Sequence, residues 1–206
     1  MYPTATIPER FADGVMHIIG VAGAIYGTVY LLNIGTLTPQ LGIYGASLIV
    51  AFLASAVYNM IPYDGPRPML RRFDHAMIYA LIAGTYTPLV FMLDTKTGYA
   101  ILTIVWTLAI IDVIRKLFFW QHPGKFGTVL YLVMGWLSPI LIYQLTGRAP
   151  QNMIWLIAAG GLIYTLGVPV YLAKKMPFST AIWHGLVVVA SACFLAAIAI
   201  GAQNIQ

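Results

Sequence analysis

Long apolar runs separated by short polar stretches dominate the chain. Seven runs approach the roughly 20 residues that a helix needs to cross a bilayer, and they lie near residues 12–33, 40–62, 74–93, 98–118, 127–146, 152–173 and 180–202. Such segments are too long for barrel strands, and backbone groups cannot stay unpaired in lipid, so the pattern predicts helices. The sequence therefore predicts an all-α integral membrane protein, a seven-transmembrane helix bundle formed as a single domain over residues 1–206.

The composition favours a membrane protein over a soluble one. The chain is 60% hydrophobic and 8% charged, whereas a soluble domain carries about 25% charged residues. The net charge of +5 comes from basic residues in short clusters between the apolar runs. These clusters form no continuous patch, so nucleic acid is not expected as a partner. Membrane lipids are the expected partners, and the oligomeric state is left open.

The Lys and Arg residues predict the orientation, because cytoplasmic loops of membrane proteins are enriched in them. Nine lie on the side of the N-terminus, namely Arg10, Arg67, Arg71, Arg72, Arg115, Lys116, Lys125, Lys174 and Lys175. Only Lys96 and Arg148 lie on the other side. This split predicts a cytoplasmic N-terminus and, with seven spans, a C-terminus outside.

Polar side chains at membrane depth are costly and are therefore candidates for a functional site. Four predicted helices carry them at the cytoplasmic end, and the candidate pocket consists of Glu9, Asp13, His17, Ser55, Asn59, Asp74, His75, Thr180 and His184. Helix caps and isolated inter-helix hydrogen bonds would explain each residue alone, and Asp74 is expected to cap the third span. Because the residues share one level of one leaflet, a polar pocket explains the set better. Asp112 is expected to pair locally with Arg115 and Lys116.

Motifs along nearly the whole chain resemble one known family. They are Ser55-Ala-Val-Tyr-Asn59, Arg71-Arg72-Phe-Asp74-His75-Ala, Leu81-Ile-Ala-Gly-Thr-Tyr-Thr-Pro88, Met134-Gly-Trp136, Gly160-Gly-Leu-Ile-Tyr-Thr-Leu-Gly167, Pro177-Phe178 and Ile182-Trp183-His184. The family is that of the hemolysin III proteins, in the progestin and adipoQ receptor superfamily. Glu9 and His17 also match its opening motif, whereas Asp13 stands where asparagine is usual.

The resemblance implies seven helices with the N-terminus inside, in agreement with the charge distribution. It also implies a zinc ion near the cytoplasmic side, held by three histidines with a serine and an aspartate nearby. Some relatives hydrolyse a lipid amide, while others are described as receptors or as regulators of membrane lipids. The bacterial branch takes its name from haemolytic activity. For a multi-pass integral membrane protein of this kind, the expected location is the bacterial inner (plasma) membrane.

This sequence departs from the family pattern at the implied metal site. Ser55, Asp74 and His184 match, but Asn59 and Thr180 stand where two of the three histidines belong. Phe194 also replaces a frequent further histidine. Zinc prefers three His, Glu, Asp or Cys ligands plus water, and the neutral oxygens of Asn and Thr suit harder cations. The sequence therefore disfavours bound zinc.

Three hypotheses about function remain open at this stage. The first is a lipid-related protein with a polar pocket and a degenerate metal site. The second is a zinc-dependent lipid amide hydrolase with altered ligands, in which His184 and Asp74 bind metal, His17 or His75 substitutes for a lost histidine, and Ser55 and Asp74 take part in catalysis. The third is a pore-forming, cytolytic or transport protein, suggested by prolines within the spans and by the polar cluster.

Overall fold

A computed structural model describes residues 6–61, 65–119, 125–173 and 175–204, except the side chains of residues 125 and 126. The described helices are α1 Ile7–Ile34, α2 Thr38–Met60, α3 Arg67–Leu93, α4 Lys96–Ile114, α5 Lys125–Gly135, α6 Ser138–Leu145, α7 Gln151–Leu172 and α8 Ser179–Asn204. A π-helical turn, Arg115–Phe119, extends α4.

The prediction of a seven-helix membrane protein is confirmed. Seven described segments are long and apolar enough to cross a bilayer, and the fifth comprises α5 and α6 together, over Gly127–Leu145. The main helix pairs are α1 with α2, α2 with α3, α3 with α4, and α1 with α8. Helix α7 packs chiefly on α8. This arrangement leaves the fifth segment with little packing, mainly against α3 and α7.

The predicted start of the third span was wrong by almost two turns. Helix α3 begins at Arg67 rather than at residue 74. Pro66 is its N-cap and Pro68 lies in its first turn, where the missing backbone N–H of proline has no intrahelical acceptor to lose. Asp74 therefore lies inside the helix and does not cap it. The predicted end of the second span, at residue 62, falls outside the described residues.

The fifth membrane segment is broken in its middle. Helix α5 ends at Gly135 and α6 begins at Ser138, with Pro139 in the first turn of α6. The break frees backbone carbonyls, which need hydrogen-bond donors inside a membrane. The hydroxyl of Tyr86 from α3 donates to Met134 O at 2.8 Å and to Gly135 O at 3.2 Å. One buried side chain therefore satisfies the break and ties it to α3.

Removing the Tyr86 hydroxyl is expected to destabilise the fold modestly. In Tyr86→Phe, Met134 O and Gly135 O lose the hydroxyl donor, and Met134 O keeps only the longer bond from Leu137 N at 3.3 Å. The ring keeps its packing, so we expect a loss of about 1–2 kcal/mol. Thermal unfolding in detergent measures it. Tyr143→Phe is the matched control, since Tyr143 on α6 is 81% exposed. An equal effect of both substitutions would contradict this role of Tyr86.

A buried ion-pair group lies where α4 passes into the π-helical turn. Asp112 Oδ1 lies 2.5 Å from Arg115 Nη2, and Asp112 Oδ2 lies 3.9 Å from Lys116 Nζ. Asp112 and Lys116 are both buried, and the Lys116 ammonium also lies 5.4 Å from the centre of the Tyr79 ring. The predicted local pairing of Asp112 is confirmed.

Candidate functional site

A cavity of about 720 Å³ lies between the loosely packed fifth segment and the rest of the bundle. Side chains from α1, α2, α3, α5, α6, α7 and α8 line it. Much of the wall is apolar, with lining residues that include Phe52, Ile82, Leu89, Leu141, Ile157 and Val187. Polar side chains gather where α1, α3 and α8 begin and α2 ends, and they include His17, Ser55, Asn59, Asp74, Thr180 and His184.

Helices α1 and α8 join at this polar end through one aspartate and two histidines. His184 Nδ1 lies 2.5 Å from Asp13 Oδ1, and His17 Nε2 lies 3.5 Å from Asp13 Oδ2. The two imidazole rings are 4.4 Å apart between centroids. Asp13 is 1% exposed and His17 is 3% exposed. The three residues form a compact polar group in which both histidines share one carboxylate.

Helix α2 contributes a serine and an asparagine beside this group. Ser55 Oγ lies 3.4 Å from His184 Nε2. Asn59 Nδ2 donates to Ser55 O at 2.9 Å and lies 3.4 Å from Ser55 Oγ. The spacing of four residues places Ser55 and Asn59 on one helix face. His184 therefore contacts Asp13 through one ring nitrogen and Ser55 through the other.

Asp74 and His75 form a separate polar group in the same cavity. His75 Nδ1 lies 3.3 Å from Asp74 Oδ2, and His75 Nε2 lies 3.2 Å from the hydroxyl of Tyr171 on α7. The described contacts of Asp74 thus join it to His75, whereas the sequence placed it with Ser55 and His184. Thr180 lines the cavity at the start of α8.

Glu9 lies at the start of α1, outside the cavity lining. Its side chain accepts from Thr6 N at 2.9 Å, within a capping box formed with Thr6. Its other carboxylate oxygen accepts from Phe178 N at 2.9 Å. Phe178 precedes α8 and has a positive φ of 58°. Glu9 therefore fixes the approach to α8, which carries His184.

Sequence reasoning missed several contacts of the site. It placed Asp13 in the pocket but did not pair it with His184, which is 171 positions away. It also missed Tyr171 beside His75, and Tyr164, whose hydroxyl lies 2.7 Å from Ser191 Oγ. A tyrosine within an apolar run is an ordinary membrane residue, so the sequence carried no signal for these contacts.

The fold and the site define a multi-pass α-helical membrane protein with a polar side-chain group at one end of a mainly apolar cavity. The profile of the family described as Haemolysin-III related matches residues 6–195. The chain therefore belongs to the hemolysin III family. The inner (plasma) membrane is where such multi-pass bacterial proteins reside.

Named relatives extend over almost the same length. The chain is 37% identical to the "Hemolysin-3 homolog" of Bacillus subtilis, over 91% of each chain. It is 35% identical to the "Hemolysin-3" of Bacillus cereus, over 92% of this chain and 90% of that protein. The human "Monocyte to macrophage differentiation factor" is 28% identical, over 91% of this chain and 82% of that protein.

The residues at the three positions implied for zinc do not fit that ion. The Asn59 amide nitrogen donates to Ser55, and the Thr180 hydroxyl is a neutral oxygen donor. Both ring nitrogens of His184 already face hydrogen-bonding partners. A different set, Asp13, His17 and His184, offers ligand atoms that all lie within 4.8 Å of one another. Three-residue sets of this kind hold catalytic metals elsewhere.

Proposed function

We propose that this hemolysin III protein binds a lipid-like amphiphile in its cavity, with the polar end of that molecule beside Ser55, Asp74 and His184. The observation that carries the proposal is the cavity itself, whose wall is mainly apolar and whose polar side chains gather at one end. Ligand pockets commonly measure about 300–1,000 Å³. The volume of about 720 Å³ lies within that range.

The loosely packed fifth segment supplies an entrance for such a molecule. Leu162 of α7 lines the cavity and is nevertheless 56% exposed. This exposure of a wall residue supports a lateral opening toward the bilayer beside the loosely packed fifth segment. An amphiphile can then pass between the bilayer and the cavity without crossing water. Its hydrocarbon chain exchanges contact with other lipids for contact with the apolar wall.

The predicted orientation of the chain in the membrane indicates which leaflet would supply the bound molecule. Of the nine basic residues assigned above to the side of the N-terminus, the structure describes all but Lys174 and the side chain of Lys125. The described ones lie near the starts of α1, α3 and α5, in the turn that follows α4, or just before α8. With that side in the cytoplasm, the polar side chains of the cavity lie in the cytoplasmic leaflet. The bound headgroup would then come from that leaflet.

Filling the cavity tests the proposal directly. Ala158 on α7 lines the cavity, so Ala158→Trp is expected to displace a bound amphiphile. Native mass spectrometry of the purified protein, followed by lipid identification, should find one retained lipid-like molecule per wild-type chain. At least a five-fold lower occupancy is expected in the variant.

Leu166→Trp provides the matched control for the lipid measurement. Leu166 lies on the same helix, is 68% exposed and is not among the cavity-lining residues. Occupancy in this control should equal that of the wild type. Equal occupancy in Ala158→Trp and Leu166→Trp would contradict binding in the cavity, as would a wild-type chain that retains no lipid.

Single polar side chains in the cavity are expected to contribute little to folding. The described hydrogen bonds of Asn59 stay within α2, and even inter-helix hydrogen bonds in membranes average only roughly 0.6 kcal/mol. Asn59→Ala and Thr180→Ala should therefore lower the unfolding temperature by only a few degrees. Size-exclusion chromatography and thermal unfolding in detergent measure this. Loss of folded protein in either variant would favour a purely structural role over a binding pocket.

Metal-dependent hydrolysis of a lipid amide is a second candidate function. The proximity of Asp13, His17 and His184 favours it, because these residues could replace the lost ligand set. It predicts turnover of ceramide-like amides by purified protein supplied with zinc. Absence of turnover under those conditions eliminates this candidate.

A cytolytic, pore-forming or transport activity is a third candidate, favoured by the printed names of the Bacillus relatives. It predicts leakage of ions from liposomes that contain the purified protein. Liposomes with an equal amount of the Ala158→Trp variant distinguish flux through the cavity from nonspecific leakage. A wild-type flux no larger than that of protein-free liposomes eliminates the candidate.

A further inference from the structure

Ser55, His184 and Asp13 are aligned in the order of a Ser-His-Asp relay. Ser55 Oγ lies 3.4 Å from His184 Nε2, and His184 Nδ1 lies 2.5 Å from Asp13 Oδ1. The geometry points to a metal-independent hydrolytic centre in which Ser55 is the nucleophile, His184 the general base and Asp13 the residue that orients His184. This inference rests on the proposed function for its substrate class, an acyl ester of a long-chain amphiphile.

One histidine tautomer satisfies both contacts. If His184 carries its proton on Nδ1, it donates to Asp13 and leaves Nε2 to accept from the Ser55 hydroxyl. The catalytic triad of serine hydrolases requires this tautomer, and the carboxylate selects it. The Ser55–His184 distance is long for a working hydrogen bond, but such distances often shorten only in the reacting complex.

Ser55, His184 and Asp13 also differ in their access to the cavity, as a catalytic relay requires. Ser55 and His184 line the cavity, whereas Asp13 is 1% exposed and is not a lining residue. The nucleophile and the base thus face the space where a substrate would lie, and the carboxylate sits behind the base. A purely structural hydrogen-bonded group would not need this arrangement.

Asn59 is placed to stabilise the negative charge that develops during the reaction. Its amide nitrogen lies 3.4 Å from Ser55 Oγ, while it also donates to Ser55 O. An amide has two N–H donors, so one hydrogen can hold Ser55 O while the other, directed at Ser55 Oγ over a long 3.4 Å contact, turns to an oxygen that becomes charged beside the nucleophile. An asparagine donor at an oxyanion typically contributes about 10²–10³-fold in rate. This role explains why an amide can stand where the family resemblance implies a histidine.

The reaction balances with water as the only co-reactant. Ser55 Oγ bonds to the acyl carbon while His184 Nε2 takes the hydroxyl proton, and the carbonyl electron pair moves onto oxygen beside Asn59. The bond to the leaving alcohol then breaks, and His184 gives that alcohol the proton. A water molecule next attacks the acyl carbon, again losing its proton to His184. Ser55 leaves with that proton, and a carboxylic acid is released.

The contact between Asp13 and His184 distinguishes this relay from a metal site. Two atoms that bind one zinc ion at about 2.0–2.1 Å in a tetrahedron are separated by about 3.3 Å. Asp13 Oδ1 and His184 Nδ1 are 2.5 Å apart, which is the separation of a short hydrogen bond. The remaining histidine, His17, contacts the second oxygen of Asp13 at 3.5 Å and contributes to holding the carboxylate.

Fluorophosphonate labelling of the full-length protein in nanodiscs tests the relay. These reagents phosphonylate or phosphorylate an activated serine with loss of fluoride. Diisopropyl fluorophosphate reaches Ser55 without needing a long-chain site, and hexadecyl fluorophosphonate also requires the cavity. We expect one adduct per chain, mapped to Ser55 by mass spectrometry, with the long-chain reagent reacting at least ten-fold faster.

Substitutions of the three relay residues test the role assigned to each of them. Ser55→Ala should lose the adduct, whereas Ser47→Ala on the same helix should label like wild type. Asp13→Asn and His184→Gln should each slow labelling by roughly 10³-fold or more, given the effect of losing the correct tautomer in known triads. Labelling should not change after treatment with 1,10-phenanthroline. Two variants are used so that misfolding of one leaves the other as a test.

The outcomes separate this inference from the proposed lipid binding. No adduct on Ser55 with either reagent in folded protein overturns the relay, even if lipid still copurifies. Labelling that survives in His184→Gln and Asp13→Asn, or that requires zinc, also overturns it. An adduct with the short reagent, combined with no preference for the long chain and no copurifying lipid, supports the relay and contradicts the lipid cavity.

Discussion

Replacing Asp13 with alanine is expected to lower the free energy of unfolding by about 3 kcal/mol. The carboxylate is buried and contacts two histidines from different helices. Its removal leaves both imidazoles without their shared acceptor, and breaking a buried charged pair typically costs 3–5 kcal/mol. The expected fall in unfolding temperature is roughly 6–12 °C. Thermal unfolding in detergent measures it.

Matched amide substitutions show whether the carboxylate causes that loss. Asp13→Asn keeps one acceptor oxygen and the side-chain shape, so a smaller loss is expected. Asp94→Asn makes the same chemical change at the end of α3, where Asp94 is exposed, and should leave stability unchanged within about 0.5 kcal/mol. A stability of Asp13→Ala equal to that of wild type would contradict the link between α1 and α8.

Replacing Asp112 with leucine is expected to be similarly destabilising, for a different reason. The change leaves the ammonium of Lys116, which is 5% exposed, without its carboxylate partner. An uncompensated buried charge costs about 3 kcal/mol or more. Arg115 also loses its partner, but it is more exposed and can reach water or headgroups with its long side chain.

A double substitution identifies the buried charge as the cause. Asp112→Leu with Lys116→Met removes both charges and should recover at least half of the lost stability, because apolar replacements of buried ion pairs are often neutral. The double-substituted protein is compared with each single variant by thermal unfolding. Strict additivity of the two single effects would show that Asp112 and Lys116 do not interact.

The sequence was sufficient for the membrane architecture, because hydrophobic length alone constrains it strongly. Every predicted span corresponds to a described membrane segment. Helix boundaries were harder to predict from the sequence where polar residues extend a helix beyond its apolar run. Arg67 to Phe73 are helical although they carry three arginines, since Pro66 and Pro68, rather than polarity, determine where α3 begins.

The candidate site could be only partly predicted from the sequence. The polar residues share a level in the membrane because each lies near a helix end, which a linear sequence reveals. Their partners depend on how helices rotate against one another, and a linear sequence does not contain that information. Asp13 thus lies beside His184, while Asp74 lies beside His75. Pro139 lies in the first turn of α6, and a proline within an apolar run predicts a kink or a break without distinguishing between them.

Zinc content per chain tests most directly the claim that this hemolysin III protein retains the family architecture while its polar site works through hydrogen bonds. Wild-type protein and His184→Ala, both purified without chelator, are compared by elemental analysis. With a polar site that works through hydrogen bonds, both proteins are expected to contain well below about 0.1 zinc per chain. About one zinc per wild-type chain, lost in His184→Ala, would contradict it and would favour a metal site rebuilt from Asp13, His17 and His184.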